Sequence, residues 1–216
     1  MKINFKKLWD KSYKDVMAVL AVTFLVTMWL FYFWDLQNMD WNVPISYAYG
    51  DDMSLLQSIR MVQDTGWNMG TDRISATDVY YCNSNEFIAG LHNADIFMIR
   101  IFSLFTDNVG VIANLMMLSI FYLVAYVTYI VMRLLNIKRW VSVGGSVIFA
   151  FLPFMFMRVI NHTQLASYYF VPLAVLMAIW VYEDEKFMLP RKGFFKYKRN
   201  IGGLVMAFLI ASQGIG

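Results

Sequence analysis

The sequence predicts an all-α membrane protein: a polytopic helical bundle with a long extracytoplasmic first loop containing interfacial helices. Three observations carry this. Hydrophobic residues make up 59% of the 216 and charged residues only 15%, against about 45–50% and about 25% in soluble domains. The mean hydropathy is accordingly positive, at +0.51. The apolar residues collect in runs of membrane-spanning length, and Lys and Arg crowd into alternate links between them.

Residues 1–15 form a basic start with Lys2, Lys6, Lys7, Lys11 and Lys14, and residues 16–33 form the first span. A helix of that length crosses a hydrocarbon core of about 30 Å. The run ends in bulky Trp29, Leu30, Phe31, Tyr32 and Phe33 instead of small residues before a cleavage site, so it reads as a retained span and not a signal peptide.

Residues 34–108 form a polar loop, with ten acids between Asp35 and Asp107 against three bases, Arg60, Arg73 and Arg100. Loops this long carry structure or function of their own. Over 52–63, apolar Met53, Leu55, Leu56, Ile59, Met61 and Val62 recur among polar residues, predicting a helix along the membrane surface that ends by Gly66. Residues 87–105 are apolar yet hold His92, Asn93, Asp95 and Arg100. A second interfacial helix is expected there, because a full crossing would invert every later segment.

Further spans follow at 109–132, 141–157 and 165–182, then a basic link at 183–200. The run 201–216 begins a fifth span and stops on Ser-Gln-Gly-Ile-Gly with no flanking charge. The chain is therefore expected to be the N-terminal part of a larger polytopic protein.

Charge sets the orientation. Five Lys precede the first span, three bases lie in the link with Arg133, Lys138 and Arg139, and six lie between Lys186 and Arg199, which makes fourteen of eighteen. These segments share one side if each run crosses once, and the positive-inside rule makes that side cytoplasmic. The expected location is the cell membrane, multi-pass, with a cytoplasmic N-terminus. The loop 34–108 and the link 158–164 then face outward. A single cysteine, Cys82, allows no intrachain disulfide and no Cys-based metal site. The basic residues border spans and form no patch of a nucleic-acid module, so no nucleic-acid partner is expected.

Two outward-facing groups can carry chemistry. Asp51 and Asp52 follow Gly50 where the chain leaves the first span. A carboxylate there can act as general base toward an acceptor hydroxyl, ligate a hard divalent cation, or simply cap a helix. Arg158, Asn161, His162 and Gln164 form the second group, between spans three and four. Arg offers a forked donor for phosphate oxygens and His can donate or accept, whereas the structural alternative is an Arg that snorkels to the headgroups. Tyr168 and Tyr169 fit either an aromatic belt or a substrate platform. Arg73, with Asp72 and Asp78 nearby, can bind a leaving phosphate or pair locally. Cys82 and His92 lack partners at ligand spacing, so no zinc is expected.

Several stretches recur together in this order: Gly50-Asp51-Asp52, Gly66-Trp67 with Arg73, Asn114, Leu152-Pro153-Phe154, Arg158, His162, Leu165, Tyr168-Tyr169, and Val171-Pro172-Leu173. The pattern resembles the N-terminal half of bacterial GT-C-type membrane glycosyltransferases, particularly the large polytopic proteins related to YfhO. The resemblance implies helices around a site at the outer leaflet, covered by the first outer loop. It implies a polyprenyl-phosphate-linked sugar as donor, a cell-envelope polymer or lipid as acceptor, and membrane lipid as surroundings. Asp51 or Asp52 would match the first-loop acid, as base or metal contact. Arg158, His162 and Arg73 would bind the donor phosphate, and Gln164, Tyr168 and Tyr169 would contact substrate. No cofactor is required, although Asp51 and Asp52 suit a divalent metal.

Two rival functions are a transporter or flippase of lipid-linked sugars and a non-catalytic membrane scaffold. A transport site calls for charge at mid-depth, and the four complete spans hold no Lys, Arg, Asp or Glu between their borders. A scaffold needs only the long aromatic loop.

Overall fold

The computed structural model describes residues 12–45, 51–65, 93–159, 162, 166–184, 187 and 198–211. Helix is the dominant structure of the described residues, which include no strand. In chain order the helices are α1 (Ser12–Trp34), α2 (Asp51–Thr65), α3 (Asn93–Ser103), α4 (Val109–Leu134), α5 (Arg139–Ala150), α6 (Pro153–Val159), α7 (Val171–Glu183) and α8 (Lys198–Ala211). Helices α1 and α4 are long and apolar enough to cross a membrane, and the bent pair α5–α6 makes a third candidate if counted as one span.

The chain folds as two compact units. One takes Met1–Trp29, Tyr122–Phe151 and Tyr168–Ser212; the other takes Leu30–Phe121, Leu152–Ser167 and Gln213–Gly216.

In the first unit, α1 buries Ala18, Val22 and Val26 at four-residue spacing, while Val16, Met17, Leu20, Phe24 and Met28 stay exposed. A helix with so narrow a buried stripe and apolar residues all round suits lipid. Between helices in lipid there is little hydrophobic drive, so packing and hydrogen bonds must hold them. Thr23 and Thr27 supply the bonds. Each donates to the carbonyl four residues back, Val19 and Thr23 respectively, which leaves the tyrosines to donate. Thr23 Oγ1 lies 2.8 Å from the Tyr126 hydroxyl, and Thr27 Oγ1 lies 2.8 Å from that of Tyr122. Bonds of this kind stabilise by roughly 0.6 kcal/mol each, enough to fix register without dominating the packing.

Helix α4 ends in a six-residue closure. The Ile137 N–H bonds the Met132 carbonyl and the Asn136 N–H bonds that of Arg133. Asn136 takes the required positive φ of 60°, which Asn tolerates better than most residues. Beyond this turn, Val131 of α4, Leu173, Leu176 and Trp180 of α7, Phe187, and Met206 of α8 form one buried cluster.

In the second unit, Leu55, Ile59 and Val62 of α2 pack on Ile96 and Ile99 of α3 and on Ile112, Ala113 and Met116 of α4. The segment before α2 is clasped to the start of α4. Asn114, 1% exposed, accepts the Ile45 N–H at 2.7 Å and donates to the carbonyls of Trp41 and Val43 at 3.0 and 2.9 Å. One turn earlier the chain passes so close that a Cβ on Gly110 would run into the Asn42 carbonyl. Asn108 caps α4 by accepting the Val111 N–H at 3.1 Å, and its amide donates to Asn42 Oδ1 at 2.9 Å. Four rings, Phe33, Trp34, Phe121 and Phe156, stack with centroids 4.7–5.8 Å apart and hold α6.

Three elements differ from the sequence expectation. The run 141–157 is divided between α5 and α6, because Pro153 has no N–H to donate and restricts Leu152 before it. The run 165–182 is one continuous helix only from Val171, since Pro172 suits a helical first turn. The helix expected over 52–63 is present as α2, but its apolar side packs on α3 and α4. Periodicity announces a buried side without saying what buries it.

Gly110→Ala is expected to destabilise by about 1–3 kcal/mol through overpacking. Asn114→Ala is expected to cost about 1–3 kcal/mol, because it strands a part-buried N–H and two carbonyls. Thermal unfolding in detergent reads both, and unchanged midpoints in both variants would show that the clasp does not form.

Candidate functional site

The second unit contains α2, which starts at Asp51, and the corner that carries Arg158 and His162. Asp51 and Asp52 occupy the first positions of a 15-residue helix, where the helix dipole favours negative charge. Their side chains lie outside the described residues. The helix itself is located by Leu55, Ile59 and Val62, which pack on α3 and α4.

Helix α6 sorts its side chains by face. Met155 and Val159 are fully buried, and Phe156 enters the ring cluster. Phe154 and Arg158, one turn apart, lie on the outer side, where Phe154 is 49% exposed. The Arg158 guanidinium sits over the Phe154 ring, 5.8 Å from its centroid. Stacking of this kind leaves the in-plane N–H edge open while holding the group in place. Among the described residues, no carboxylate lies within ion-pairing distance of Arg158. The His162 N–H closes the turn by donating to the Arg158 carbonyl at 2.7 Å.

Arg73 and Gln164 lie outside the described residues. Tyr168 and Tyr169 belong to the first unit. Tyr168 is half-buried, its hydroxyl donates to the Phe149 carbonyl at 3.1 Å, and its ring meets Phe149 edge-on. Tyr169 is 1% exposed and packs edge-on against Phe170. Both tyrosines are thereby engaged in holding the entry to α7. Among the described residues, no three His, Cys, Asp or Glu side chains gather to hold a metal.

The structure also singles out residues that the motif reading passed over. Asp95 and Arg100 on α3 are 2% and 7% exposed, and both are engaged in interactions. Burial lowers the proton affinity of Arg100, although an arginine keeps its charge at any ordinary pH. Buried ions cost several kcal/mol unless compensated, so their retention on the loop helix marks them as candidates. The signal was present in the sequence as charges inside the apolar stretch 87–105. Asp35, just past α1, is exposed, and Asn38 and Gln37 hold its carboxyl below the ordinary carboxylate range by hydrogen bonding. It closes the helix and takes no part in the site.

A family model described as a domain of unknown function, DUF6311, matches residues 97–212. No curated protein and no solved structure matches the chain.

Because Arg158 is stacked and not ion-paired among the described residues, Arg158→Gln is expected to change stability by less than about 1 kcal/mol. A loss above about 2 kcal/mol in thermal unfolding would make it a structural cation.

Proposed function

The chain belongs to the DUF6311 family, and we propose that it is an integral membrane glycosyltransferase. It moves a sugar from a polyprenyl-phosphate donor to a cell-envelope acceptor on the extracytoplasmic side. The observation that carries this reading is Arg158. It is a half-buried guanidinium fixed on an aromatic ring with its donor edge open, in the same compact unit as the helix that begins with two carboxylates. Arg158 takes the donor phosphate, and His162 and Arg73 are the further donors proposed for it. Asp51 or Asp52 accepts the proton from the acceptor hydroxyl as the glycosidic bond forms, and the lipid phosphate leaves toward the arginine. A divalent cation at the acid pair is compatible with this chemistry and is not required by it. The multi-pass topology with a cytoplasmic N-terminus follows from the distribution of Lys and Arg, and it puts both groups on the outer side.

The break between α5 and α6 favours a second reading, a transporter or flippase of lipid-linked sugars, since transport sites form at interrupted spans. Against it stands the absence of charge within the apolar runs.

Sugar transfer from a labelled polyprenyl-phosphate donor, measured in membranes, tests the first reading. Removing one donor to a developing oxyanion costs about 10²–10³ in rate, so Arg158→Ala is expected to fall by that factor with the protein still folded. General bases contribute about 10²–10⁴, so one of Asp51→Asn and Asp52→Asn is expected to fall comparably. Full transfer in all three variants would rule the mechanism out, and movement of the intact labelled lipid across the bilayer without transfer would favour the transporter.

A further inference from the structure

In the first unit, a cationic cluster gathers where α1 begins and α4 ends. Asp15 Oδ1 accepts Arg139 Nε at 2.7 Å and the Tyr129 hydroxyl at 3.3 Å. Arg133 Nε lies 3.6 Å from the same oxygen, buried and without an acceptor. The other end of Arg133 donates from Nη1 to the Ile137 carbonyl at 2.6 Å, fixing the guanidinium. Lys14 precedes Asp15 and reaches over the Tyr13 ring at 5.7 Å, and Lys138 precedes Arg139. Among the described residues, these four cations meet no carboxylate except Asp15. Among the described residues, Arg133 and Arg139 thus share one carboxylate, with Lys14 and Lys138 next to the cluster in sequence.

The surroundings identify what would balance the excess. Neither arginine is sealed, at 19% and 25% side-chain exposure. Tyr13 and Trp140 flank the cluster in sequence, 63% and 68% exposed, and such amphipathic rings settle at headgroup level. Beyond them Val16, Met17 and Val141 are exposed on the same helices, giving acyl chains an apolar surface to lie on. A soluble anion has no use for that apolar border. A zwitterionic lipid brings a cation of its own, which the cluster repels.

We infer that this cluster is a binding site for the phosphate headgroup of an anionic phospholipid. Arg133 and Arg139 offer forked N–H groups to the phosphate oxygens, while Lys14 and Lys138 add long-range attraction. Asp15 orients the guanidiniums and remains engaged. Bound lipid then ties the ends of α1, α4 and α5 together from outside the chain.

The test uses the whole chain in nanodiscs of equal parts phosphatidylglycerol and phosphatidylcholine, with lipids retained on release counted by native mass spectrometry. Wild type is expected to retain phosphatidylglycerol selectively, and less so at high salt. Each basic residue near a membrane surface contributes roughly a fivefold preference. Lys14→Gln with Lys138→Gln is therefore expected to lower selectivity by roughly 5- to 25-fold, and these exposed lysines are not part of the Asp15 bonds. Arg139→Gln is expected to lower it further. Equal retention of the two lipids by wild type would overturn the site. So would an equal loss from Lys192→Gln with Lys196→Gln, which changes charge equally in the basic link.

Discussion

No water reaches the hydrocarbon of a bilayer, so each polar group placed there has to find its partner within the chain. Several described side chains keep to that constraint, although Thr128 Oγ1 of α4 is buried without a hydrogen-bond partner. Thr23 and Thr27 satisfy carbonyls of their own helix and still accept from Tyr126 and Tyr122. Ser142 and Ser146 turn their hydroxyls back onto backbone carbonyls. Tyr168 reaches the Phe149 carbonyl in the turn before α7. Since lipid is as apolar as the leucines that face it, these bonds and the fit of small residues such as Ala18 give α1 its register on α4.

Outside the long apolar helices the same requirement builds the approach to the candidate site. Chain leaving α1 turns through Asp35 at a positive φ of 46°, then runs where backbone groups would be left open. Asn114 answers three of them with one side chain, and Gly110 makes room for the approach. The apolar face of α2 then docks on α3 and α4. The helix that begins at the acid pair is thus fixed by its packing on α3 and α4.

Much of this was legible in the residues. Runs 16–33 and 109–132 lie within α1 and α4, because uninterrupted apolar length has one main structural outcome. The repeat from Leu55 to Val62 gave α2, and charge within apolar 87–105 pointed at α3. What escaped depends on partners distant in sequence. Pro153 signalled the division of 141–157, but the rings of Phe33, Trp34 and Phe121 that receive Phe156 of α6 lie far off in sequence. Tyr168 and Tyr169 have the composition of a substrate platform; only coordinates show one hydroxyl engaged and the other ring buried. The Arg158–Phe154 pair, by contrast, is local, an i, i+4 contact that follows once 153–159 is helical.

The arginines can be sorted by what balances them. Arg133 and Arg139 share one carboxylate and are left one charge in excess at an aromatic-flanked border. Arg100 lies buried in a loop helix, engaged. Arg158 is steadied by a ring that supplies no charge. Keeping a guanidinium partly dehydrated without an acid costs free energy that stacking of about 0.5–2 kcal/mol only partly offsets. An arginine kept for stability alone would do better with a carboxylate, as Arg139 has. Among the described residues no carboxylate supplies that charge, and the donor phosphate of the proposed reaction would be its counter-ion.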